Sequence, residues 1–276
     1  MSSQQRADDS VYEVLRDCLR RDEPVALATV VATTEPTGLG AKLLVRLAGS
    51  IGTLGDPGLD SVAGRDALGA LVSGQSSLRH YGPQGEIRQD TVTVFVEAFS
   101  PPPRMIILGA VDFSAALASM ARVLGYRVVV CDARPVFATR ERFPTAEEVV
   151  VEWPDRYLAR VAPELGPRDA VCVLTHDTKF DVPAIVAALA TDAGYIGAMG
   201  SRRTKERRDA RLREVGVSDK DLARVRAPIG LDLGARTPEE TAVSICAEII
   251  ACQTGTDTVV SLSQGTGAIH HDEHAS

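Results

Sequence analysis

The feature that most constrains the fold is the alternation of short apolar runs and helical stretches after residue 103. Apolar runs rich in β-branched residues occupy 104–110, 126–132, 149–152, 169–175 and 194–200. Stretches with helical character lie between or after them, at 113–124, 154–162, 182–191 and 202–215. Strands that alternate with helices of this length form βαβ units, in which helices cover both faces of a parallel sheet. The pattern therefore predicts an α/β domain with a Rossmann-like parallel sheet.

The first hundred residues follow a different pattern, which predicts a smaller α+β domain. Ser10 and Glu13 have the spacing of a capping box, and apolar residues recur after Ser10 at helical intervals. Apolar runs and one further helical stretch come next. They predict strands over 25–32, 41–49, 51–55 and 90–99 and a helix over 60–73. Strands clustered around two helices are typical of an α+β domain.

Three consecutive prolines separate the two patterns. Ser100 and Pro101–Pro103 can join neither a central strand nor a helix interior, so they predict a stiff, extended linker. The last predicted helix has Thr237 as N-cap, Pro238 at its first position and Glu240 at its third. Beyond it, the Gly, Thr, Ser and His content favours disorder. The predicted organisation is a first domain over 1–99, a linker over 100–103, a Rossmann-like domain over 104–252 and a tail over 253–276.

Composition and charge exclude several classes of function. The chain has 37 acidic and 30 basic residues, a net charge of −7 and 4% aromatic residues. Acidity argues against a general nucleic-acid binder, and few aromatics argue against a single-strand platform. No apolar run is long enough to span a bilayer, and no secretory signal is recognisable at the start. The five cysteines form no C-x-x-C pair, which is typical of reduced thiols, so we expect a cytoplasmic protein.

The first candidate site is a turn between a predicted strand and a predicted helix. Its sequence is Gly109-Ala110-Val111-Asp112, and Asp132 ends the next strand 23 residues after Gly109. This context matches a dinucleotide site, in which the acidic residue binds the ribose. However, Val111 replaces the second glycine, which lets a pyrophosphate approach, and Asp112 would cap the helix in competition with a phosphate. An NAD(P) site and a Rossmann-type scaffold without one both remain open, and the scaffold is favoured.

The second candidate site is the start of a basic helix. Segment 202–213 has seven basic and two acidic residues, and Arg202 and Arg203 lie in the first turn, where the helix dipole disfavours cations. An anion bound by free helical N–H groups and guanidinium groups would explain them. Gly200, Ser201 and Thr204 complete this predicted anion site, and a solvated basic helix is the alternative. A solvated face is expected for the later arginines, which are Arg207, Arg208, Arg211 and Arg213.

The third candidate site contains His176 and Asp177, directly after a predicted strand. In a doubly wound sheet this strand lies beside the strand that precedes Gly109, and the two loops flank the usual ligand crevice. His176 could exchange protons or bind a heterocycle, with Asp177 fixing its tautomer. Alternatively, the two residues cap the following helix. Both interpretations remain open.

The fourth candidate site is the segment 228–235. Gly230 and Gly234 flank Asp232, so the segment either approaches a ligand closely or forms a tight turn before the last helix. The three histidines of the tail, His270, His271 and His274, could bind metal weakly, but a solvated tail is favoured. The sequence contains no Ser/His/Asp elbow, Walker loop or zinc-ligand spacing, so no catalytic or metal-binding residue is predicted.

Four segments in order resemble the XdhC/CoxI family, whose members are accessory proteins for molybdenum hydroxylases such as xanthine dehydrogenase and carbon monoxide dehydrogenase. They are FATRERFPTAEEV (137–149), LTHDTKFDVPAI (174–185), YIGAMGSRRTKERR (195–208) and PIGLDLGARTPEETAVSICAEI (228–249). The first domain resembles the family more loosely, through ALATVV (26–31) and GAKLLV (40–45).

The resemblance implies a protein that holds molybdenum cofactor, assists its maturation and delivers it to an apo-hydroxylase. The implied partners are that hydroxylase, a cysteine desulfurase and a second copy of the chain in a homodimer. Molybdopterin carries a terminal phosphate, so Ser201–Thr204 would bind the phosphate and the loops over 109–114 and 175–179 would form the crevice. Two other hypotheses are an NAD(P)-dependent oxidoreductase that uses Asp132 and a paralogue that only binds a hydroxylase.

Two departures from the family pattern predict a divergent member with altered cofactor handling. Family members carry Gly-rich, cysteine-containing stretches in the first domain, where this chain has GSIGTLGDPGLDS (49–61). Cys18 is the only cysteine before the linker, and thiolates are the groups that would ligate molybdenum or carry a persulfide. The usual Gly-Ala-Gly-His turn is replaced by Gly109–Asp112.

Overall fold

The computed structural model describes residues 3–34, 38–86, 89–175, 177–256 and 258–264. It divides into two compact units, residues 1–103 with 166–168 and residues 104–165 with 169–276. His176 and the three tail histidines lie outside the described residues.

The first unit is an antiparallel sheet between two helices. Its elements are α1 (Ser3–Arg20), β1 (Val25–Thr33), β2 (Lys42–Arg46), β3 (Gly49–Thr53), α2 (Pro57–Ser73), β4 (Ser77–Tyr81) and β5 (Val92–Phe99), and the strand order is β3-β2-β1-β5-β4. Alternate residues of β1 pack on opposite faces: Ala26, Ala28 and Val30 in one buried cluster with α2, Val25 and Leu27 in another with α1. This period of two accounts for the apolar run.

Two local predictions in the first unit need correction. The helix begins at Ser3, so Ser10 lies within α1 and is not its N-cap. The apolar periodicity begins after Ser10, whereas the helix extends back through polar sequence to Ser3. Strand β4, with the sequence SLRHY, is not predicted, because an edge strand with one fully buried side chain has no apolar run.

The second unit contains a six-stranded parallel sheet. Its strands are β6 (Arg104–Leu108), β7 (Arg127–Asp132), β8 (Glu148–Val151), β9 (Ala170–Val173), β10 (Tyr195–Ala198) and β11 (Val225–Arg226). Its helices are α3 (Asp112–Val123), α4 (Pro154–Val161), α5 (Thr178–Leu189), α6 (Arg202–Glu214), α7 (Asp219–Leu222) and α8 (Pro238–Gln253), with two short 3-10 turns at 162–164 and 262–264. The strand order is β11-β10-β9-β6-β7-β8.

Helices cover both faces of this sheet. One buried cluster joins α3 and α8 to Met105, Ile107, Val128 and Val130, and a second joins α4, α5 and α6 to the alternate strand residues. The order reverses between β6 and β9, which pair in parallel from Met105–Ala170 to Leu108–Val173. This is the strand order of dinucleotide-binding Rossmann folds, in which ligands bind at the reversal point. The predicted fold class, a Rossmann-like domain after a smaller α+β domain, is confirmed.

The ends of the helices agree with the sequence where capping is local. Thr237 Oγ1 accepts a hydrogen bond from Glu240 N at 3.1 Å, and Glu240 Oε2 accepts one from Thr237 N at 3.1 Å, as the capping box predicts. In contrast, α5 begins at Thr178, earlier than the predicted start at residue 182, and includes Pro183 in its interior. The short elements α7 and β11 are not predicted, because four and two residues show no periodicity.

Candidate functional site

The loops after β6 and β9 meet at the point where the strand order reverses. Leu108 O accepts hydrogen bonds from Leu174 N at 2.8 Å and Thr175 N at 3.2 Å. Gly109 has a φ of +110°, and a Cβ atom there would lie 2.8 Å from Thr175 N. Only glycine allows both this backbone conformation and this close approach. The two loops are therefore in direct backbone contact at this edge of the sheet.

The carboxylate of Asp132, predicted to bind a ribose, is used within the protein. Asp132 is buried, and its Oδ2 accepts a hydrogen bond from Ala110 N at 2.8 Å. Its Oδ1 accepts from Arg134 N and Arg134 Nε, both at 2.9 Å, and Arg134 Nη2 donates to Oδ2 at 2.7 Å. Burial raises the pKa of Asp132, but these hydrogen bonds outweigh burial and hold the pKa below its ordinary value. Asp132 is thus an ionised anchor for the turn at Ala110.

Two arginines that were not predicted as site residues surround this turn. Arg134 lies over the Phe137 ring, 4.5 Å from its centroid, and Asp177 is one of the charges that raise the Arg134 pKa after the hydrogen bond to Asp132. Arg142 donates to Ala110 O and to Asp112 Oδ1, both at 3.2 Å. The only sequence signal for Arg142 is its place in the segment 137–149, since these two contacts join residues 32 and 30 positions apart.

The start of α3 differs from the prediction. Val111 is the N-cap residue, and Asp112 is the first helical residue, with a side chain that is 88% exposed. The Asp112 carboxylate makes no cap and pairs with Arg142, so the predicted capping carboxylate is wrong. Instead, the buried Ser114 hydroxyl donates to Gly109 O at 2.5 Å and accepts from Val111 N at 3.4 Å. A short side chain in the first turn is sufficient to close the loop.

Asp177 caps α5. Its carboxylate accepts a hydrogen bond from Lys179 N at 3.0 Å, and its own N–H donates to Thr175 Oγ1 at 3.2 Å. This is the capping role that the sequence left open for Asp177. The neighbouring Phe180 ring lies 5.1 Å from that of Trp153, which follows β8, so the start of α5 packs against the residues that follow β8.

The start of α6 presents two arginines without side-chain partners among the described residues. Ser201 is the N-cap, and its hydroxyl accepts from Thr204 N at 3.1 Å. Gly200, with φ +139°, turns the chain out of β10 and lies against Thr204. Arg202 and Arg203 are exposed, and neither side chain pairs with any residue in the described ranges. Because the first N–H groups of a helix have no intrahelical acceptor, the amides of Arg202 and Arg203 are also available to an anion.

Arg208 is buried, which contradicts the predicted solvated basic face at this position. It is 3% exposed, and its Nη1 donates to Met199 O at 2.9 Å. The same atom lies 3.9 Å from Oδ2 of Asp181, which is 2% exposed on α5. Periodicity could have indicated the inward position, since Arg208 lies four residues before Leu212, which is buried.

The fourth predicted segment packs against α8. A Cβ atom at Gly230 would lie 2.5 Å from Ser244 Oγ, and Gly230 N donates to Glu248 Oε2 at 2.8 Å. Tyr195 donates to the same carboxylate oxygen at 2.5 Å. Asp232 lies one residue beyond a second contact, in which Ser244 Oγ donates to Leu231 O. Glycine at position 230 thus allows this segment to pack closely against α8.

Burial favours the protonated form of the thiols in the second unit. Burial raises the pKa of Cys131 to about 12 and that of Cys246 to about 11, and it also raises the pKa of Cys172 and Cys252. Among the described residues, no group of three or more His, Cys, Asp or Glu side chains could hold a metal ion. No helix in the same ranges has the length and apolar character needed to cross a membrane.

Comparison with family models decides the relationship of the chain. A model described as the XdhC Rossmann domain matches residues 105–249, more than half of the chain. A model described as the XdhC and CoxI family matches residues 18–82. The chain belongs to the XdhC/CoxI family. The family resemblance predicted from the four segments is therefore confirmed.

Similar proteins include two longer relatives of this XdhC/CoxI member. A probable xanthine dehydrogenase subunit of Bacillus subtilis (strain 168) is 32% identical over 160 residues, which are 58% of this chain and 46% of that protein. The molybdenum cofactor insertion chaperone PaoD of Escherichia coli (strain K12) is 29% identical over 155 residues, 56% of this chain and 42% of PaoD. The chain thus spans less than half the length of these curated relatives.

One solved structure supports the fold of this XdhC/CoxI protein. A crystal structure of a xanthine dehydrogenase from Bacillus halodurans aligns with a TM-score of 0.53 and 20% identity. The alignment covers 91% of this chain and 98% of that one. At this identity the likeness concerns the fold alone.

Proposed function

We propose that this protein is an accessory protein of a xanthine dehydrogenase-type molybdenum hydroxylase, which binds molybdenum cofactor and assists its insertion. The family membership and the printed names of the two relatives support the accessory role. The observation that carries cofactor binding is at the start of α6, where the guanidinium groups of Arg202 and Arg203 are exposed and have no partner within the part of the chain that the structure describes. The hydroxylase is the proposed partner, and a cysteine desulfurase and a homodimer stay predictions.

The start of α6 fits the phosphate end of the cofactor. The Ser201 hydroxyl accepts a hydrogen bond from Thr204 N, and the N–H groups of Arg202 and Arg203 have no intrahelical acceptor. The positive end of the helix dipole and two guanidinium groups then favour the same anion. Because α6 follows β10, the amides lie at the carboxyl edge of the sheet, where Rossmann folds bind ligands. The described residues offer hydrogen-bond donors for a phosphate rather than thiolate ligands for the metal.

The geometry of Asp132 favours this proposal over an NAD(P)-dependent oxidoreductase. Both carboxylate oxygens already accept hydrogen bonds, from Ala110 N and from the backbone N, Nε and Nη2 of Arg134. A ribose would have to displace one of these donors from a buried carboxylate. In addition, the side chain of Val111 stands where the dinucleotide fingerprint requires glycine. We therefore propose binding and delivery of a cofactor, without turnover by this chain.

The proposal is tested by anion binding to the full chain. Inorganic pyrophosphate serves as the probe of the phosphate site, and its affinity is measured by calorimetry at several salt concentrations. Arg202→Ala/Arg203→Ala should weaken binding at least about tenfold and reduce its salt dependence, because two charge-assisted contacts are lost. Arg207→Ala/Arg211→Ala, which removes two exposed charges from the same helix, is the matched control and should change affinity less than about threefold.

A second measurement addresses the cofactor and the competing function. The protein is purified together with its proposed hydroxylase, and molybdenum and phosphorus are quantified for the wild type and the Arg202→Ala/Arg203→Ala variant. Cofactor retained by the wild type and lost by the variant is expected. Equal pyrophosphate affinity in both proteins would overturn the anion site. NADH binding by the wild type would favour the oxidoreductase, and hydroxylase capture without any cofactor would favour a protein that only binds its partner.

A further inference from the structure

Arg208 and Asp181 form a buried charged pair whose hydrogen bonds are incomplete. Arg208 Nη1 donates to Met199 O, whereas Arg208 Nε, Arg208 Nη2 and Asp181 Oδ1 are buried and have no hydrogen-bond partner among the described residues. The closest approach between the two side chains, Nη1 to Oδ2, is 3.9 Å. Burial lowers the pKa of Arg208, against the opposing charges of Asp181 and Asp209. Desolvation of both charges is therefore poorly compensated.

Stability alone does not account for this arrangement. Replacement of a buried ion pair by well-packed apolar side chains is often neutral or stabilising. The same face of α6 already contains such a residue, since Leu212 is 1% exposed one turn further on. Apolar side chains at positions 181 and 208 together would extend that contact and would bury no charge. The presence of the buried pair is better explained by the loops that Arg208 and Asp181 hold in position.

Arg208 and Asp181 each interact with a loop at the carboxyl edge of the sheet. Arg208 binds the carbonyl of Met199, the residue directly before the Gly200 turn and the Ser201 cap. Asp181 lies one turn after the α5 cap, and the Thr175 hydroxyl is one of the groups that lower its pKa. Thr175 in turn donates through its backbone to the carbonyl that precedes the Gly109 turn. Buried polar groups thus connect the loop after β9 with the loop after β10.

We propose that Arg208 and Asp181 are positioning residues, which fix the Gly200–Ser201 turn and thereby hold the α6 amides and Arg202 in place for an anion. This inference rests on the proposed function for its ligand, but its structural consequence does not require a ligand. Arg208 is 3% exposed and does not touch the anion. Its removal should loosen the turn without removing a charge that contacts the ligand.

Hydrogen exchange of the ligand-free full chain is the first test. Arg208→Met should accelerate exchange in the segment 199–205 at least about fivefold, because the bond that holds the Met199 carbonyl is lost. Arg208→Lys retains a donor and a charge and should restore most of the protection. Arg207→Met, at an exposed position of the same helix, is the control and should leave the segment unchanged. Unchanged exchange in Arg208→Met would overturn the proposal, whether or not any anion binds.

Pyrophosphate binding is the second test. Arg208→Met should weaken binding about tenfold while the salt dependence of affinity stays that of the wild type, since Arg202 and Arg203 are intact. A reduced salt dependence would mean direct contact and would overturn a positioning role. Asp181→Asn, which keeps the shape of the side chain, provides a second variant if Arg208→Met does not fold, and it should accelerate exchange in the same segment. Failure of the wild type to bind pyrophosphate would refute the proposed function but not the exchange result.

Discussion

Asp132 and Arg134 form a two-pronged ion pair at the carboxyl end of β7, with Nη2 2.7 Å from Oδ2 and Nε 2.9 Å from Oδ1. The same carboxylate holds Ala110 N at 2.8 Å. An acidic residue at this position of a Rossmann fold normally binds the ribose of a dinucleotide. Here the carboxylate joins the loop after β6 to the loop after β7 through these hydrogen bonds.

Removal of the Asp132 carboxylate should therefore reduce stability. Asp132→Ala leaves Ala110 N buried without its acceptor and Arg134 without its partner, and we expect a loss of about 2–3 kcal/mol in the free energy of unfolding. Urea unfolding measures the loss. Asp112→Ala, at a carboxylate that is 88% exposed, should stay within about 0.5 kcal/mol of the wild type. Equal stability of Asp132→Ala and the wild type would contradict the anchoring role.

Asp181 should give the protein a stability that falls as the pH rises. Burial raises the pKa of Asp181 to about 6, against the Arg208 charge and the Thr175 hydroxyl. The folded protein then binds this proton more tightly than the unfolded chain, whose aspartates titrate near about 3.9. The bound proton stabilises the folded protein fully below about pH 3.9. This stabilisation is lost as the pH rises through about 6, which lowers the free energy of unfolding by at most about 3 kcal/mol. Asp181→Asn should remove it.

The measurement is urea unfolding of both proteins at several pH values from about 4 to 7. The difference in free energy of unfolding between wild type and Asp181→Asn should change steadily across this range and level off above it. Parallel curves for the two proteins would show that Asp181 titrates normally.

Gly109 should tolerate no side chain, because the loops touch there. Gly109→Ala combines a φ of +110° with a Cβ atom 2.8 Å from Thr175 N, and we expect a loss of about 2 kcal/mol or more. Gly125→Ala is the matched control: its φ is +84°, but a Cβ atom there meets nothing within 4 Å. It should lose about 1 kcal/mol, which is the backbone effect alone. Thermal and urea unfolding would show equal losses if the two loops were not in contact.

The cysteines of the second unit should react slowly in the folded protein. Cys131, Cys172 and Cys246 are buried, and burial raises the pKa of each thiol. We expect their reaction with a disulfide reagent at about pH 8 to be at least about 100-fold slower than in urea, because little thiolate forms. Cys252 is half-buried and should react first, and Cys252→Ser should remove that phase. Rapid modification of the other three would contradict their burial.

Much of the fold is predictable from local sequence. The alternation after residue 103 predicts the parallel sheet, because a buried strand requires a continuous apolar run and each crossover requires a helix. The strand order of a doubly wound sheet predicts β9 beside β6, and the structure confirms this neighbour. The cap at Thr237 and Glu240 is also predictable, since all its partners lie within three residues. Short or edge elements such as β4 and α7 are not, because they have no period.

The sequence by itself determined which residue types meet at the carboxyl edge of the sheet, but the tertiary structure decided what each of them does. The Asp132 carboxylate accepts hydrogen bonds from Ala110 N and Arg134, which fixes its position. Asp112 pairs with Arg142, which lies 30 residues further along the chain. Arg208 is buried and not part of the exposed basic face of α6, because it contacts the Met199 carbonyl and the Asp181 carboxylate on α5. The sequence shows which charged residues are present and how they are spaced. Whether each charged side chain is buried or ion-paired depends on contacts between residues that are distant in the sequence.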